Sequence, residues 1–118
     1  MTPPSPNDSV LEPVTIPPVA MPQNPLGLGC WSFGGGWGQQ DEAASRAAMQ
    51  TAWDAGMNHF DTARGYGRGR SERLVGEFLR AEGRRERAFL ATKGAGSAEG
   101  VLKQLDASLA DLGLDGVD

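Results

Sequence analysis

The stretch HFDTARGYGRGRSERLVG, residues 59–76, joins the end of a predicted strand to a glycine-rich loop and the start of a predicted helix. Residues 57–61 predict a short strand that ends at Asp61. Ser71 follows the loop, and we predict that it caps the helix. The helix keeps apolar residues on one face, namely Leu74, Val75, Phe78 and Leu79. The stretch therefore predicts a strand, loop and helix in sequence.

The same unit occurs before and after this stretch. Residues 26–30 form a short apolar run, which a glycine-rich loop and an Ala-rich helix over residues 41–55 follow, with Gly56 ending the helix. Residues 88–93 predict a third strand, after which Ser97 begins a third helix and Gly113 ends it. The third helix has an apolar stripe formed by Val101, Leu102, Leu105, Leu109 and Leu112. Residues 115–118 resemble the start of a fourth strand.

Alternating strands and helices predict parallel strands joined by right-handed crossovers. An open doubly wound sheet and a (β/α)8 barrel both satisfy this order. A barrel of about 250 residues gives about 31 residues per unit, and residues 25–118 have the length of about three such units. We therefore predict an α/β fold that is a partial (β/α)8 TIM barrel, with about the first three βα units plus the start of strand four. Its helices should lie on one side of the sheet, whereas helices on both faces would favour the open sheet.

The N-terminal segment has a different composition. All 8 prolines precede Leu26, and prolines break both helices and central strands. We predict a flexible Pro-rich arm over residues 1–24 and a barrel domain over residues 25–118.

Composition also limits the cellular setting and the partners. The chain of 118 residues is 39% hydrophobic and 22% charged, as in ordinary soluble domains. Its net charge is −4, and we interpret the mixed Arg and Glu residues between positions 64 and 87 as solvated helix faces, so we expect no nucleic-acid partner. No apolar run approaches the roughly 18 to 20 residues of a membrane span, and prolines interrupt any signal-like run. We therefore expect a cytoplasmic protein without a membrane partner, and the single cysteine, Cys30, fits a reducing compartment.

Chemistry in parallel α/β folds is placed at the carboxyl ends of the strands. Asp61 and Lys93 end strands that we expect to be neighbours at about 4.8 Å, so the two side chains come within ion-pair reach. Tyr66 lies on the loop after Asp61 and can fold over the same point. A cation beside a phenol stabilises the phenolate and so favours proton transfer. From spacing alone, a plain ion pair with Tyr66 as an ordinary loop residue remains an alternative.

The residues around this trio resemble the signature of the aldo-keto reductase family. The matching residues of the central stretch are Asp61, Thr62, Ala63, Tyr66, Gly67, Ser71, Glu72 and residues 74–76. The family's ATK at the end of strand three appears as Ala91, Thr92 and Lys93, and its opening LGLG-x-W appears as residues 26–29 with Cys30 and Trp31. The resemblance covers residues 25–118.

The resemblance implies a reductase that transfers hydride from NADPH to an aldehyde or ketone, a small-molecule carbonyl substrate. Tyr66 would be the general acid, Lys93 would make it more acidic, and Asp61 would hold Lys93. The cofactor-binding residues that the resemblance implies are Gly29, Cys30, Trp31 and Asp61. NADP rather than NAD rests on the family alone, and we assign no metal ligands.

Three features invite a different interpretation. His59 is the only histidine, but it precedes Asp61 on strand two, so we interpret it as a core histidine inside the barrel. The family's catalytic histidine ends strand four, beyond Asp118. The glycines of the loop fail the G-x-G-x-x-G pattern, since from Gly67 the last position is Glu72. We interpret Cys30 as a small buried apolar residue rather than a reactive thiol.

Three functional hypotheses follow. The first is an enzyme fragment whose full-length parent is a reductase, and intact Asp61, Tyr66 and Lys93 favour it. The second is a non-catalytic regulatory or binding protein on the reductase scaffold, and the third is an inert truncated product. We expect the 118 residues alone to be inactive, because the strand-four histidine and the adenine-binding residues of the family have no counterpart in them.

Overall fold

Three parallel strands form the centre of the structure, a computed structural model that describes residues 11–118. The strands are β1 (Leu28–Gly29), β2 (His59–Asp61) and β3 (Phe89–Ala91), adjacent in that order. Leu28 lies opposite Phe60, which lies opposite Leu90. The predicted parallel order is confirmed. Each strand is shorter than the apolar run that predicted it, because flanking residues bond into turns, as where the Ala88 N–H donates to the Arg85 carbonyl at 3.3 Å.

Three helices follow the strands: α1 (Glu42–Asp54), α2 (Arg70–Arg80) and α3 (Ala98–Leu112). Ser97 caps α3 by accepting from the Gly100 N–H, so the predicted start of this helix is confirmed. Asp41, which we placed in the first turn of the first helix, is instead the N-cap of α1 and accepts from the Ala43 N–H. Gly113 ends α3 in the left-handed conformation. No helix within residues 11–118 combines the length and the apolarity that crossing a bilayer requires.

The predicted cap of α2 is wrong. Gly69, at a φ of 92°, is the N-cap residue, and Ser71 lies inside the first turn, fully buried. The Ser71 hydroxyl donates to the Cys30 carbonyl at 2.8 Å, so the Thr62 hydroxyl, also at 2.8 Å, donates to Ser71. Buried polar groups need partners, and Ser71 satisfies a strand carbonyl rather than the helix end.

The helices pack on one side of the sheet. Phe60 and Leu90 are fully buried, and Leu28 packs against the same core. The helical part of this core consists of Met49, Trp53, Leu74, Val75, Phe78, Leu79 and Leu112. On the opposite face, His59 and Phe89 are half-buried and meet edge to face at 4.5 Å. Residues 11–118 therefore form an arc of a barrel rather than a doubly wound sheet, as predicted.

The apolar stripe on α3 and the predicted fourth strand are only partly realised within the described residues. Leu112 is the fully buried member of the apolar stripe on α3, whereas Leu102 is 65% exposed. Residues 115–118 form no strand, but the Asp118 N–H donates to the Leu90 carbonyl at 2.9 Å. The chain end thus lies alongside β3, on the side where a fourth strand would pair.

The prediction that the mixed charges are all solvated is wrong at two positions. Glu72 is 0% exposed, and Arg84 is buried with its guanidinium donating to the Phe78 carbonyl at 3.0 Å. Each of these charges has hydrogen-bonding partners inside the fold. Without such partners, the free-energy cost of removing a charge from water would prevent its burial.

Part of the proposed N-terminal arm makes defined contacts. Val14 and Gln23 exchange two backbone hydrogen bonds of 2.8 Å in an antiparallel bridge. The Asn58 side chain accepts from the Asn24 N–H at 2.8 Å and donates to the Pro22 carbonyl at 3.1 Å. These bonds attach residues 22–24 to the start of β2. Residues 1–10 lie outside the described residues, and the flexibility of the arm and its boundary at residue 24 stay predictions.

Candidate active site

Lys93 is the centre of a polar group at the carboxyl ends of β2 and β3. Its Nζ lies 2.7 Å from Asp61 Oδ1, 2.7 Å from the Thr62 carbonyl oxygen and 3.4 Å from Tyr66 Oη. The Lys93 and Asp61 side chains are each 50% exposed, on the open side of the sheet. The predicted convergence of Asp61, Tyr66 and Lys93, with Lys93 in the middle, is confirmed.

The surroundings of Lys93 keep it charged. Burial lowers its pKa, but hydrogen bonds to Asp61 and Tyr66 and the attraction of the Asp61 carboxylate outweigh burial and raise the pKa above its ordinary value. Lys93 Nζ also lies 5.0 Å from the centre of the Tyr66 ring. The ammonium is therefore a fixed positive charge beside the phenol at neutral pH.

Tyr66 is held by the turn between β2 and α2. Its N–H donates to the Ala63 carbonyl at 3.2 Å, and its carbonyl accepts from the Ser71 N–H at 3.2 Å. Gly34, in the loop after β1, passes so close that an added Cβ would collide with the Tyr66 backbone. The loop after β1 and the first turn of α2 together position the phenol.

The three residues at the end of β1 differ in accessibility. Gly29 is exposed, and nothing lies within 4 Å of a Cβ added to it. Trp31 is 44% exposed and meets Trp37 edge to face at 4.9 Å. Cys30 is fully buried, its N–H donates to the Asp61 carbonyl at 2.9 Å, and its carbonyl accepts from Ser71. Gly29 and Trp31 therefore face open space, whereas Cys30 holds β1 to β2.

The Cys30 thiol is shielded from ionisation. Burial, followed by the negative charge of Asp61, raises its pKa to about 12, although a backbone hydrogen bond and the Lys93 charge oppose this. The thiol lies 3.4 Å from the Leu28 carbonyl, to which it donates. This environment agrees with the interpretation of Cys30 as a buried structural residue.

His59 is half-buried rather than a full core residue. It lies with Asp61 in a cleft of about 310 Å³ between the N-terminal segment and the sheet, which Val14, Gln23 and Leu28 also line. Burial lowers the pKa of His59, and the nearby Asp61 carboxylate partly opposes this. Within residues 11–118 the N-terminal segment covers only part of the sheet face that carries His59, which explains its partial exposure.

Sequence reasoning missed an ion-pair network around the buried Glu72, next to Asp61, Tyr66 and Lys93. Arg64 Nη1 lies 2.8 Å from Glu72 Oε1 and 2.6 Å from Asp111 Oδ2. The Thr92 hydroxyl donates to Glu72 Oε2 at 2.9 Å. A signal was available, because Glu72 shares a helix face with the apolar Val75, one turn later. Helical periodicity thus indicated burial of Glu72.

Comparison with known proteins gives a consistent match. The model of the Aldo/keto reductase family matches residues 25–118. The chain is 44% identical over 71 residues to aldo-keto reductase YhdN of Bacillus subtilis, which covers 59% of the chain and 22% of that protein. It is 31% identical over 106 residues to aldo-keto reductase yakc [NADP(+)] of Schizosaccharomyces pombe, which covers 79% of the chain and 31% of that protein. The chain thus spans less than a third of the length of these relatives.

Solved structures give the same fold. An aldo-keto reductase from Klebsiella pneumoniae in complex with NADPH has a TM-score of 0.76 and 27% identity, over 92% of this chain and 38% of that one. The holo form of aldo-keto reductase AKR11C1 from Bacillus halodurans has a TM-score of 0.77 and 26% identity, again over 92% of this chain and 38% of that one.

Proposed function

Because this chain belongs to the aldo/keto reductase family, we propose that it carries the proton-donating part of a carbonyl reductase active site. The observation that supports this most directly is the position of Lys93 Nζ, 2.7 Å from Asp61 Oδ1 and 3.4 Å from Tyr66 Oη. In this proposal Tyr66 is the general acid that protonates the carbonyl oxygen as it becomes an alcohol. Lys93 stabilises the phenolate that remains, and Asp61 keeps Lys93 in place.

The hydrogen bonds of Lys93 support the direction of proton transfer. An ammonium has three N–H donors, and Lys93 has three acceptors: the Asp61 carboxylate, the Thr62 carbonyl and the Tyr66 oxygen. Since Lys93 donates to Tyr66 Oη, the phenolic hydrogen of Tyr66 is free to point at another acceptor. The substrate carbonyl oxygen, on the open side of the sheet, would be that acceptor.

We propose NADP(H) as the cofactor, with Gly29, Cys30, Trp31 and Asp61 at its nicotinamide end. Nothing crowds the position of a Cβ at Gly29, and Trp31 presents an exposed indole, so this edge of the sheet fits a flat ring and its ribose. Cys30 would contribute through shape, because its backbone groups are already bonded within the fold. When bound, NADPH supplies the hydride that the carbonyl carbon accepts. The substrate would be a small aldehyde or ketone.

The proposal is tested in a chimera in which residues 25–118 replace the matching segment of the Klebsiella pneumoniae reductase. We expect Tyr66→Phe to lower kcat for aldehyde reduction by at least about 100-fold, the usual contribution of a general acid, while the Kd of NADPH changes less than about two-fold. NADPH absorbance measures turnover, and NADPH fluorescence measures binding.

Thr51→Val is the control, since it removes a hydroxyl from the exposed side of α1 that bonds the Ala47 carbonyl. Equal losses of binding and turnover in Tyr66→Phe would assign Tyr66 a structural role and contradict the proposal. A chimera that binds NADPH without any turnover would favour the non-catalytic alternative.

A further inference from the structure

Glu72 is a buried carboxylate with a partner on each oxygen. Its side chain is 0% exposed, Arg64 Nη1 lies 2.8 Å from Oε1, and the Thr92 hydroxyl donates to Oε2 at 2.9 Å. Burying an ion pair is a poor way to gain stability, because desolvation offsets the attraction and an apolar pair often serves as well. The position of the two partners is therefore more informative than the pair itself.

Both partners adjoin residues of the candidate active site. Thr92 is bonded directly to Lys93 in the chain, and Arg64 lies between Asp61 and Tyr66. The Arg64 backbone N–H donates to the Lys93 carbonyl at 3.1 Å. A closed ring of contacts, which we call the Glu72 circuit, therefore runs from Lys93 along the chain to Thr92, by hydrogen bonds to Glu72 and Arg64, and back to the Lys93 carbonyl.

Helix α3 also contacts the Glu72 circuit, through Asp111. Asp111 on α3 lies 2.6 Å from Arg64 Nη1, so the guanidinium lies between two carboxylates. A hydrogen bond to Asp111 is the main cause of the raised pKa of Arg64, which burial opposes and Glu72 reinforces. Gly69 leaves the necessary space, since an added Cβ would collide with both Arg64 and Asp111. Arg64 is thus anchored to α2 and α3 at once.

We propose that Glu72 and Arg64 are positioning residues that fix the backbone at Lys93 and so keep its Nζ between Asp61 and Tyr66. The catalytic consequence rests on the proposed function, whereas the placement of Lys93 does not. Placement matters because Lys93 is a long, half-exposed side chain whose 3.4 Å contact with Tyr66 is already loose. A backbone shift of about 1 Å would remove that contact.

The test measures Lys93 directly by NMR in the 118-residue chain with labelled lysine side chains, where Lys93 and Lys103 give distinct signals. In the parent, the Lys93 ammonium should titrate above the ordinary 10.5, in line with its raised pKa. We expect Glu72→Gln to move the Lys93 midpoint down towards that value, because Nζ loses its place beside Asp61 and a nearby negative charge is lost. The matched control is Glu77→Gln on the same helix, an exposed carboxylate paired with Arg46 at 2.9 Å, and it should leave Lys93 unchanged.

Thr92→Val provides a second variant that keeps the Arg64 and Glu72 ion pair and almost the same volume. It should move the Lys93 midpoint in the same direction, and Thr92→Ser should restore it. Circular dichroism checks that each variant keeps the helix content of the parent. If Glu72→Gln unfolds, the Lys93 midpoint in Thr92→Val tests the proposal. A Lys93 midpoint that stays at the parent value in folded Thr92→Val overturns the proposal.

Activity in the chimera separates this inference from the proposed function. There we expect Thr92→Val to lower kcat by at least about tenfold with little change in KM, since a small misplacement of a reacting group is costly. If Tyr66→Phe leaves turnover intact, the proposed function fails, while the Lys93 titration still decides whether Glu72 and Arg64 position Lys93. A moved Lys93 midpoint with unchanged kcat would overturn the catalytic consequence alone.

Discussion

At the scale of single residues, Lys93 shows how one side chain organises the site. Its three donors meet a carboxylate, a carbonyl and a phenol, so it has no hydrogen left for substrate. In the proposed mechanism, Lys93 would therefore act through its charge and its position rather than as a proton donor. The carbonyl of Thr62 completes this set, and because any residue supplies a carbonyl, no sequence pattern indicated it.

Cys30 allows a prediction at the residue scale. Its pKa of about 12, against an ordinary value of 9.0, leaves about a thousandfold less thiolate than a free cysteine has near pH 8, and the thiolate is the reactive form. We expect iodoacetamide to label folded chain at least about a hundredfold more slowly than chain unfolded in urea. Mass spectrometry gives both rates, and urea-treated glutathione corrects for the effect of urea on the reagent. Fast labelling of folded chain would show an accessible, ionisable thiol instead.

At the scale of elements, the connection from β2 to α2 does most to build the site. Ser71 bonds the Cys30 carbonyl while Thr62 bonds Ser71, so the first turn of α2 holds the ends of β1 and β2 together. The same turn carries Glu72, whose partners reach β3 and the loop with Tyr66. A helix that begins two residues later would lose both links.

Gly69 is the position in this connection that a mutation tests most cleanly. It combines a φ of 92° with a site where a Cβ would displace the side-chain ends of Arg64 and Asp111 from their ion pair, whereas Gly83 has a φ of 66° and no neighbour within 4 Å of its Cβ. We expect Gly83→Ala to lower the free energy of unfolding by about 1 kcal/mol, and Gly69→Ala to lower it by at least about 2 kcal/mol. Urea unfolding followed by circular dichroism measures both. Equal losses would mean that the backbone conformation alone, and not the collision, sets the cost.

At the scale of the whole molecule, one face of the sheet is open. His59, Phe89, Asp61 and Lys93 lie on that face or at its rim and remain partly exposed within residues 11–118. On the other side, Leu102 of α3 also contacts solvent. Charges in water interact weakly, whereas the electrostatic stabilisation that speeds catalysis needs a site that excludes water.

We therefore predict that the 118-residue chain does not turn over a carbonyl substrate, although it contains Asp61, Tyr66 and Lys93. An open parallel sheet also has unpaired edges that favour association between copies. The purified chain is titrated with NADPH by fluorescence, and NADPH oxidation is followed with a reactive aldehyde, with size-exclusion chromatography to establish the species present. Saturable micromolar binding together with steady turnover by a monomer would contradict this prediction.

Much of the architecture follows from the sequence by itself. Short runs spaced by one barrel unit placed all three strands, and Ser97 and Gly113 placed the two ends of α3, because periodicity, caps and left-handed glycines act within a few residues. The convergence of Asp61, Tyr66 and Lys93 was also predictable, since parallel neighbouring strands bring their carboxyl ends together.

What the tertiary structure alone decided are the pairings between side chains that are distant in the chain. Ser71 was predicted as a cap, but its hydroxyl donates to the Cys30 carbonyl instead. Glu72 was predicted to be solvated, but it is buried, where Arg64 and Thr92 form hydrogen bonds to its carboxylate. A polar group bonds to a partner that packing brings within about 3 Å, and spacing along the sequence does not show which partners come that close.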